Sequence, residues 1–268
     1  MGIPYAEVIG DPIAHSKSPI IHRFWLKGIS ADYRATRVSE GELDAYFEER
    51  RRDEDWLGCN VTRPHKQAVL EVVDRVSGPL RSVGAANFIQ RREDGLLTAS
   101  NFDIEAVRVA LEPRALHGTT VAVVGAGGAA RAAVAALKEL DVAEVVLIAR
   151  NQAKAQRILT DLDVSGRTAP FSAPLPRAAA LVNASPLGQT GEPPLELDLD
   201  PLPANALVFD MVYSPLDTDL LQSARRRGLK TVDGLTMLIE QAAISFEMFF
   251  EVVLDRSEDR RLRELLTR

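Results

Sequence analysis

The stretch Thr120-Val121-Ala122-Val123-Val124-Gly125-Ala126-Gly127-Gly128-Ala129-Ala130 decides the fold of this 268-residue chain. An apolar run stops at a glycine, and the glycines open onto small residues that continue as a helix. A strand that feeds a helix through so tight a turn begins a βαβ unit. Gly125 permits the turn, Gly127 lets backbone approach a pyrophosphate, and Ala130 keeps the helix close to the strand. The N–H groups of the helix start then face an anion, so Gly125, Ala126, Gly127, Gly128 and Ala129 read as a phosphate-binding loop. A glycine turn can also serve plain packing, and taken alone the motif leaves that alternative open.

Downstream, short runs rich in Val, Ile and Leu at 121–124, 144–148, 179–182, 206–209 and 229–232 alternate with helical stretches. A parallel sheet buried on both faces needs that pattern. Where the second of these strands ends, an NAD-preferring site places an acidic residue for the ribose diol. This chain has Ala149-Arg150-Asn151 instead, with Lys154 one helical turn on. Arg150 can clamp a 2′-phosphate bidentately and Lys154 adds a second positive charge, which points to NADP rather than NAD. The plain alternative is two surface cations on an exposed helix start.

Upstream, the first hundred residues read as a second α/β unit. Strands are expected at 5–10, 33–38 and 56–61, and a hairpin at 87–91 and 96–99. Ser18-Pro19 starts a helix, with Ser18 as N-cap and Pro19 at the first helical position. Further helices are expected over 41–52 and from Pro64 through Val73. The closing helix repeats apolar residues at Leu238, Ala242, Phe246, Phe249 and Val253, one buried stripe. The fold class expected is therefore α/β and two-lobed. An N-terminal α/β substrate-binding domain takes 1–105 and 236–268, and a Rossmann-type doubly wound dinucleotide-binding domain takes 106–235.

Composition narrows the function further. The net charge of −6 offers no broad attraction to phosphate backbones, so no nucleic-acid partner is expected. The basic runs at 49–52, 225–227 and 256–268 read as solvated helix ends. No apolar run approaches the ~20 residues of a membrane span, and the N-terminus lacks the features of a signal peptide. The single Cys59 excludes an internal disulfide and suits a reducing compartment, so a cytoplasmic location is expected. His15, His22, His65 and His117 show no zinc-type spacing, and no metal is expected. No Gly-x-Ser-x-Gly elbow is present, which argues against a serine hydrolase. The state of assembly is not readable, and a homodimer stays open.

Four segments gather polar residues beside glycine or proline, outside any amphipathic pattern: Ser16-Lys17-Ser18-Pro19, Asn60-Val61-Thr62-Arg63-Pro64-His65-Lys66, Gly84-Ala85-Ala86-Asn87 and Ser100-Asn101-Phe102-Asp103. Two follow predicted strands directly, where open α/β sheets place ligands. Singly, each residue has an ordinary reading: Ser18 and Asp103 as helix caps, Asn87 as a turn residue.

Together they resemble a known family. Gly10-Asp11-Pro12-Ile13-Ala14-His15-Ser16-Lys17-Ser18-Pro19 and the segment from Asn60 to Lys66 are similar to the opening and central motifs of the shikimate dehydrogenase family. Asn183-Ala184-Ser185-Pro186-Leu187-Gly188, Asp210-Met211-Val212-Tyr213-Ser214-Pro215 and the segment from Gly234 to Gln241 follow in the family's order. The resemblance implies a substrate lobe and a nucleotide lobe across a cleft, and reversible reduction of 3-dehydroshikimate by NADPH. By motif, Ser16 and Ser18 would hold the substrate carboxylate, and Asn87, Asp103 and Gln241 the ring hydroxyls. Thr62 and Tyr213 would complete the substrate set. Lys66 would be the acid/base group with Asp103 beside it. Met211, Val212 and Gly234 would lie toward the nicotinamide, with Asn183 and Ser185 along the cofactor. The chemistry agrees: hydride arriving at a ketone leaves negative charge on oxygen, so a cation that is also a proton donor must stand there.

The chain departs from the family pattern at a few places. Phe88 and Phe102 stand where the pattern has Thr, Arg23 where it often has Asn, and Ala149 and Asn151 where Asn and Thr are more usual. Exchanging a hydroxyl for an aromatic ring removes a donor and fills space, which bears on polyol specificity. A dehydrogenase of quinate, of an amino-substituted relative or of another cyclic hydroxy acid remains an alternative. So does a non-catalytic metabolite-binding protein of the same fold, against which the retained Lys66 and Asp103 stand.

Overall fold

The computed structural model describes residues 2–76 and 78–267. Met1, Ser77 and Arg268, which the expected domain ranges include, lie outside the described residues. The chain divides into a unit formed by 1–102 with 241–268 and a unit formed by 103–240.

The first unit contains β1 (Tyr5–Gly10), α1 (Ser18–Trp25), β2 (Asp32–Arg37), α2 (Leu43–Arg50) and β3 (Trp56–Val61). A single 3-10 turn at Ala68–Glu71, β4 (Arg75–Val76), α3 (Gly78–Val83), β5 (Phe88–Arg91) and β6 (Leu97–Ser100) follow. Its sheet runs β2-β1-β3-β5-β6-β4, with β1 parallel to β2 and β3, then β5 antiparallel to both β3 and β6. That alternation has a direct consequence. The C-terminal ends of β1 and β3, the start of β5 and the end of β6 all reach one edge of the sheet. Asn60 pairs with Phe88, and Phe88 with Ser100, at that edge.

The second unit contains α4 (Asp103–Leu111), β7 (Thr120–Val124), α5 (Gly128–Glu139), β8 (Glu144–Ile148), α6 (Gln152–Leu162) and β9 (Gly166–Ala169). After these come β10 (Ala180–Asn183), β11 (Leu207–Asp210), α7 (Asp219–Arg226) and β12 (Lys230–Val232). The sheet is parallel throughout, in the order β12-β11-β10-β7-β8-β9. Read from β9 this is the 3-2-1-4-5-6 order of a doubly wound dinucleotide fold, with its switch point between β7 and β10. Val121 to Val124 and Val145 to Leu147 are fully buried, as strands covered on both faces must be. α8 (Gly234–Phe250) and α9 (Asp259–Leu266) close the chain. Among the described residues no helix is long and apolar enough to cross a membrane.

Three expectations are corrected. No helix runs from Pro64 through Val73; the segment is a turn followed by the 3-10 element. The carbonyls a helix would need are taken by other segments: Arg63 O accepts from Asp11 N, and Lys66 O from Ala86 N. Ser18 is not the N-cap of α1. Lys17 holds that position, while Ser16 Oγ accepts from Ser18 N at 3.3 Å, so the capping hydroxyl comes from farther upstream. Val253 does not extend the stripe of α8, because the helix ends at Phe250 and Val253 is 96% exposed.

Among the described residues of the first unit, one carboxylate is buried. Glu7 on β1 accepts hydrogen bonds from the Tyr46 phenol at 2.8 Å, from Arg50 Nε at 2.6 Å and from the Thr36 hydroxyl. The paired guanidinium and two hydroxyls supply the partners a buried carboxylate requires.

Candidate active site

The first unit delivers its polar side chains from the shared sheet edge. Gly10 ends β1 against the turn after β3; a Cβ there would lie 2.7 Å from Arg63 O, so only glycine allows the approach. Thr62 N donates to Ile9 O at 3.0 Å, and the buried His65 ring binds Val38 O through Nε2 at 2.6 Å. Ala86 N donates to Lys66 O at 2.7 Å, fixing the Lys66 peptide beside the loop that carries Asn87. Lys66 is therefore held at its backbone by the Asn87 loop, with a half-buried side chain.

Asn87 is nearly fully buried. Its Oδ1 accepts from Phe102 N at 2.8 Å, which turns the amide so that its NH2 end points the other way. Asn101 spends its amide on Ala85 O at 2.8 Å and so braces the same loop. Ser16 is half-buried and Ser18 buried at the start of α1. Gln241 is buried within α8. The fold thus brings Ser16, Ser18, Thr62, Lys66, Asn87 and Gln241 into one unit. Asp103 opens α4, buried, at the beginning of the other.

Phe88 and Phe102 differ from each other. Phe88 is 1% exposed and packs between Phe102 and Phe249, with ring centroids 4.6 and 4.5 Å away. It belongs to the core. Phe102 is half-buried and leans on Phe88.

In the second unit, Gly125 has φ +120°, and a Cβ there would lie 2.7 Å from Ala184 O. Both conditions exclude a side chain. At Gly127 a Cβ would meet nothing within 4 Å, and the residue offers no side-chain cap to α5. The first N–H groups of this twelve-residue helix lack intrahelical acceptors, so the turn fits a phosphate. Ala126, Gly128 and Ala129 complete it, each half-buried.

Arg150 follows β8 on the surface and makes no hydrogen bond or ion pair with the described residues. Asn151 caps α6, its Oδ1 accepting from Lys154 N at 2.9 Å. The cap orients the helix on which Lys154 stands, so part of the segment read as cofactor-binding has a structural duty. An exposed guanidinium at this strand end fits the 2′-phosphate of NADP.

Asn183 is likewise structural. Fully buried at the end of β10, it donates to Asp210 Oδ1 at 2.9 Å and Leu187 O at 3.0 Å, and accepts from Ser185 N and Oγ. Its amide shapes the Ser185 loop and has no group left over for a ligand. Asp210, also fully buried, accepts further from Val212 N and the Thr218 hydroxyl, and burial pushes its carboxyl above the ordinary range. Asp210 entered the sequence reading only as the first residue of a family-like motif, with no role of its own, and Thr218 did not enter it at all. Gly234 is required because a Cβ would run into the Met211 and Val212 carbonyls. Met211, Val212 and Tyr213 thus form a segment fixed by Asp210 on one side and Gly234 on the other.

A parallel sheet of this order, with a glycine turn at its first helix and ligand-side loops after β7 and β10, defines a Rossmann-class dinucleotide-binding protein; here it is joined to a mixed α/β unit. Comparison with known proteins narrows the class. The family model for the shikimate dehydrogenase substrate binding domain matches residues 8–89. A shikimate dehydrogenase (NADP(+)) of Sphingopyxis alaskensis is 50% identical over 265 residues, covering 98% of this chain and 97% of that protein. The crystal structure of shikimate 5-dehydrogenase from Thermus thermophilus in complex with NADP(H) and shikimate matches with a TM-score of 0.87 at 32% identity, covering 98% of this chain and 99% of that one. Quinate dehydrogenase from Corynebacterium glutamicum in complex with NAD matches with a TM-score of 0.85 at 27% identity, covering 99% of this chain and all of that one. The chain belongs to the shikimate dehydrogenase family.

Proposed function

We propose that this protein catalyses the NADP-dependent, reversible reduction of 3-dehydroshikimate to shikimate. The observation that carries the reading is the gathering of Ser16, Ser18, Thr62, Lys66, Asn87 and Gln241 within a single unit of a family member. Ser16 and Ser18 hold the substrate carboxylate through hydroxyl donors at the start of α1. Asn87, Gln241 and Asp103 hold ring hydroxyls. Bound NADPH supplies the hydride, and Gly125 to Ala129 with Arg150 hold it by its phosphates. The Lys66 ammonium faces the ring carbonyl, stabilises the charge that develops on its oxygen and passes a proton to it. In the oxidative direction the same amine takes the proton back. By the family motif, Asp103 is the carboxylate that would orient the ammonium.

Phe102 supports a second reading in which a differently substituted ring, of quinate or aminoshikimate type, is the better substrate. A half-buried phenyl offers a ring hydroxyl no partner. A cytoplasmic setting suits the buried free thiol of Cys59. The test is a panel of 3-dehydroshikimate, 3-dehydroquinate and their reduced forms, assayed with both nicotinamide cofactors. Highest kcat/KM for the 3-dehydroshikimate and NADPH pair is expected. Turnover of the quinate pair alone would overturn the assignment, and tight binding without turnover would make the protein a sensor.

A further inference from the structure

Asn60, on β3, is nearly fully buried and makes three hydrogen bonds. Its Oδ1 accepts from the Tyr33 phenol at 2.6 Å. Its Nδ2 donates to Asn87 O at 3.3 Å and to Ser245 Oγ at 2.8 Å. Ser245, fully buried on α8, passes its own proton to Gln241 O at 2.8 Å, one helical turn earlier.

The chain of bonds has one proton sense. The Asn87 and Gln241 carbonyls can only accept, so Ser245 must donate to Gln241 and receive from Asn60. Both Asn60 N–H groups are then committed, and its carbonyl must accept from Tyr33. Burial holds the Tyr33 phenol protonated, its pKa raised well above the ordinary value. Tyr33 is in turn fixed by stacking face to face on His22, with ring centroids 3.7 Å apart and planes 1° from parallel. The two peptides at the far ends of the network belong to the residues that the proposed function places on ring hydroxyls.

We propose that Asn60 is the positioning residue of the ring-binding site, setting the Asn87 and Gln241 peptides from one buried amide. Resting on the assignment of Asn87 and Gln241 to the substrate, it extends that reading to a residue whose amide is committed to partners within the protein. Fully satisfied, such a network specifies a unique arrangement; partly satisfied, it frees every member.

The test is a steady-state comparison of wild type, Asn60→Asp and Tyr33→Phe, varying 3-dehydroshikimate and NADPH separately. Asn60→Asp keeps the shape but turns two donors into an acceptor facing the Asn87 carbonyl. KM for the ring substrate is expected to rise at least ~10-fold, the scale of a buried hydrogen bond lost with its partner left unsatisfied, while KM for NADPH stays within about twofold. Tyr33→Phe keeps the stacking on His22 and removes only the donor to Asn60, so a smaller rise of the same selectivity is expected, and it serves if Asn60→Asp fails to fold. Glu7→Gln, in a buried network apart from this one, lowers stability and is expected to leave both KM values unchanged. Equal changes in both KM values, unchanged KM for the ring substrate, or the same selective rise in Glu7→Gln would overturn the proposal. A wild type that turns over no ring substrate would instead overturn the proposed function, and this inference with it.

Discussion

Asn183 donates its amide to the buried carboxylate of Asp210 at 2.9 Å, tying the end of β10 to the end of β11. Thr218 completes the arrangement, donating to the other oxygen of Asp210 at 2.6 Å and capping α7 by accepting from Leu221 N. A single hydroxyl therefore satisfies a buried carboxylate and a helix terminus together. Thr218→Val removes both. It is expected to destabilise the protein by about 2–4 kcal/mol, combining a lost N-cap with a carboxylate oxygen left unsatisfied. Urea unfolding monitored by circular dichroism measures it. A loss under about 0.5 kcal/mol would mean that the hydroxyl does neither job.

Arg150 stands alone at the surface after β8. Arg150→Ala is expected to raise KM for NADPH by ~10-fold or more with little change for NADH, since only NADPH carries the 2′-phosphate the fork would grip. Equal effects on the two cofactors would remove the residue from the site.

Lys66 is fixed at its peptide by Ala86 N. Lys66→Ala is expected to lower kcat by on the order of 10²–10⁴-fold, the usual contribution of a general acid, while NADPH binding followed by fluorescence is retained. Near-normal turnover would refute the role.

His22 is buried with neither ring nitrogen hydrogen-bonded, and burial holds its imidazole down to about 3. The native state therefore stays neutral where the unfolded chain, titrating near 6.5, takes up a proton. Stability from this source is complete above pH 6.5 and is lost as the pH falls toward 3. The slope is about 1.4 kcal/mol per pH unit, so between pH 7.5 and 5.0 wild type should lose about 2 kcal/mol more than His22→Leu. Urea unfolding at the two pH values checks this, and parallel losses in both proteins would contradict it.

Local pattern carried much of the fold. The apolar runs at Tyr5–Gly10, Trp56–Val61 and Glu144–Ile148 end where the structure ends those strands, because each is bounded by turn residues and buried on both faces. β4 and β9 escaped notice. Gly166-Arg167-Thr168-Ala169 has no apolar run and is a strand only because β8 offers it an edge to pair with. Of the candidate site, the glycine turn and the polar segments were legible because their chemistry is written in adjacent residues.

The sequence by itself determined the alternation of strands and helices, the glycine turn at Gly125 to Ala129 and the family to which Lys66 and Asn87 point. Only the tertiary structure decided that Asn183 braces the protein from within and Asn151 caps a surface helix, that Phe88 is core, and that Asn60 joins Tyr33 to Ser245 across 27 and 185 residues of chain. Periodicity and turn chemistry act between near neighbours. The partner of a buried amide is set by strand register and helix placement, which exist only once the whole core has closed.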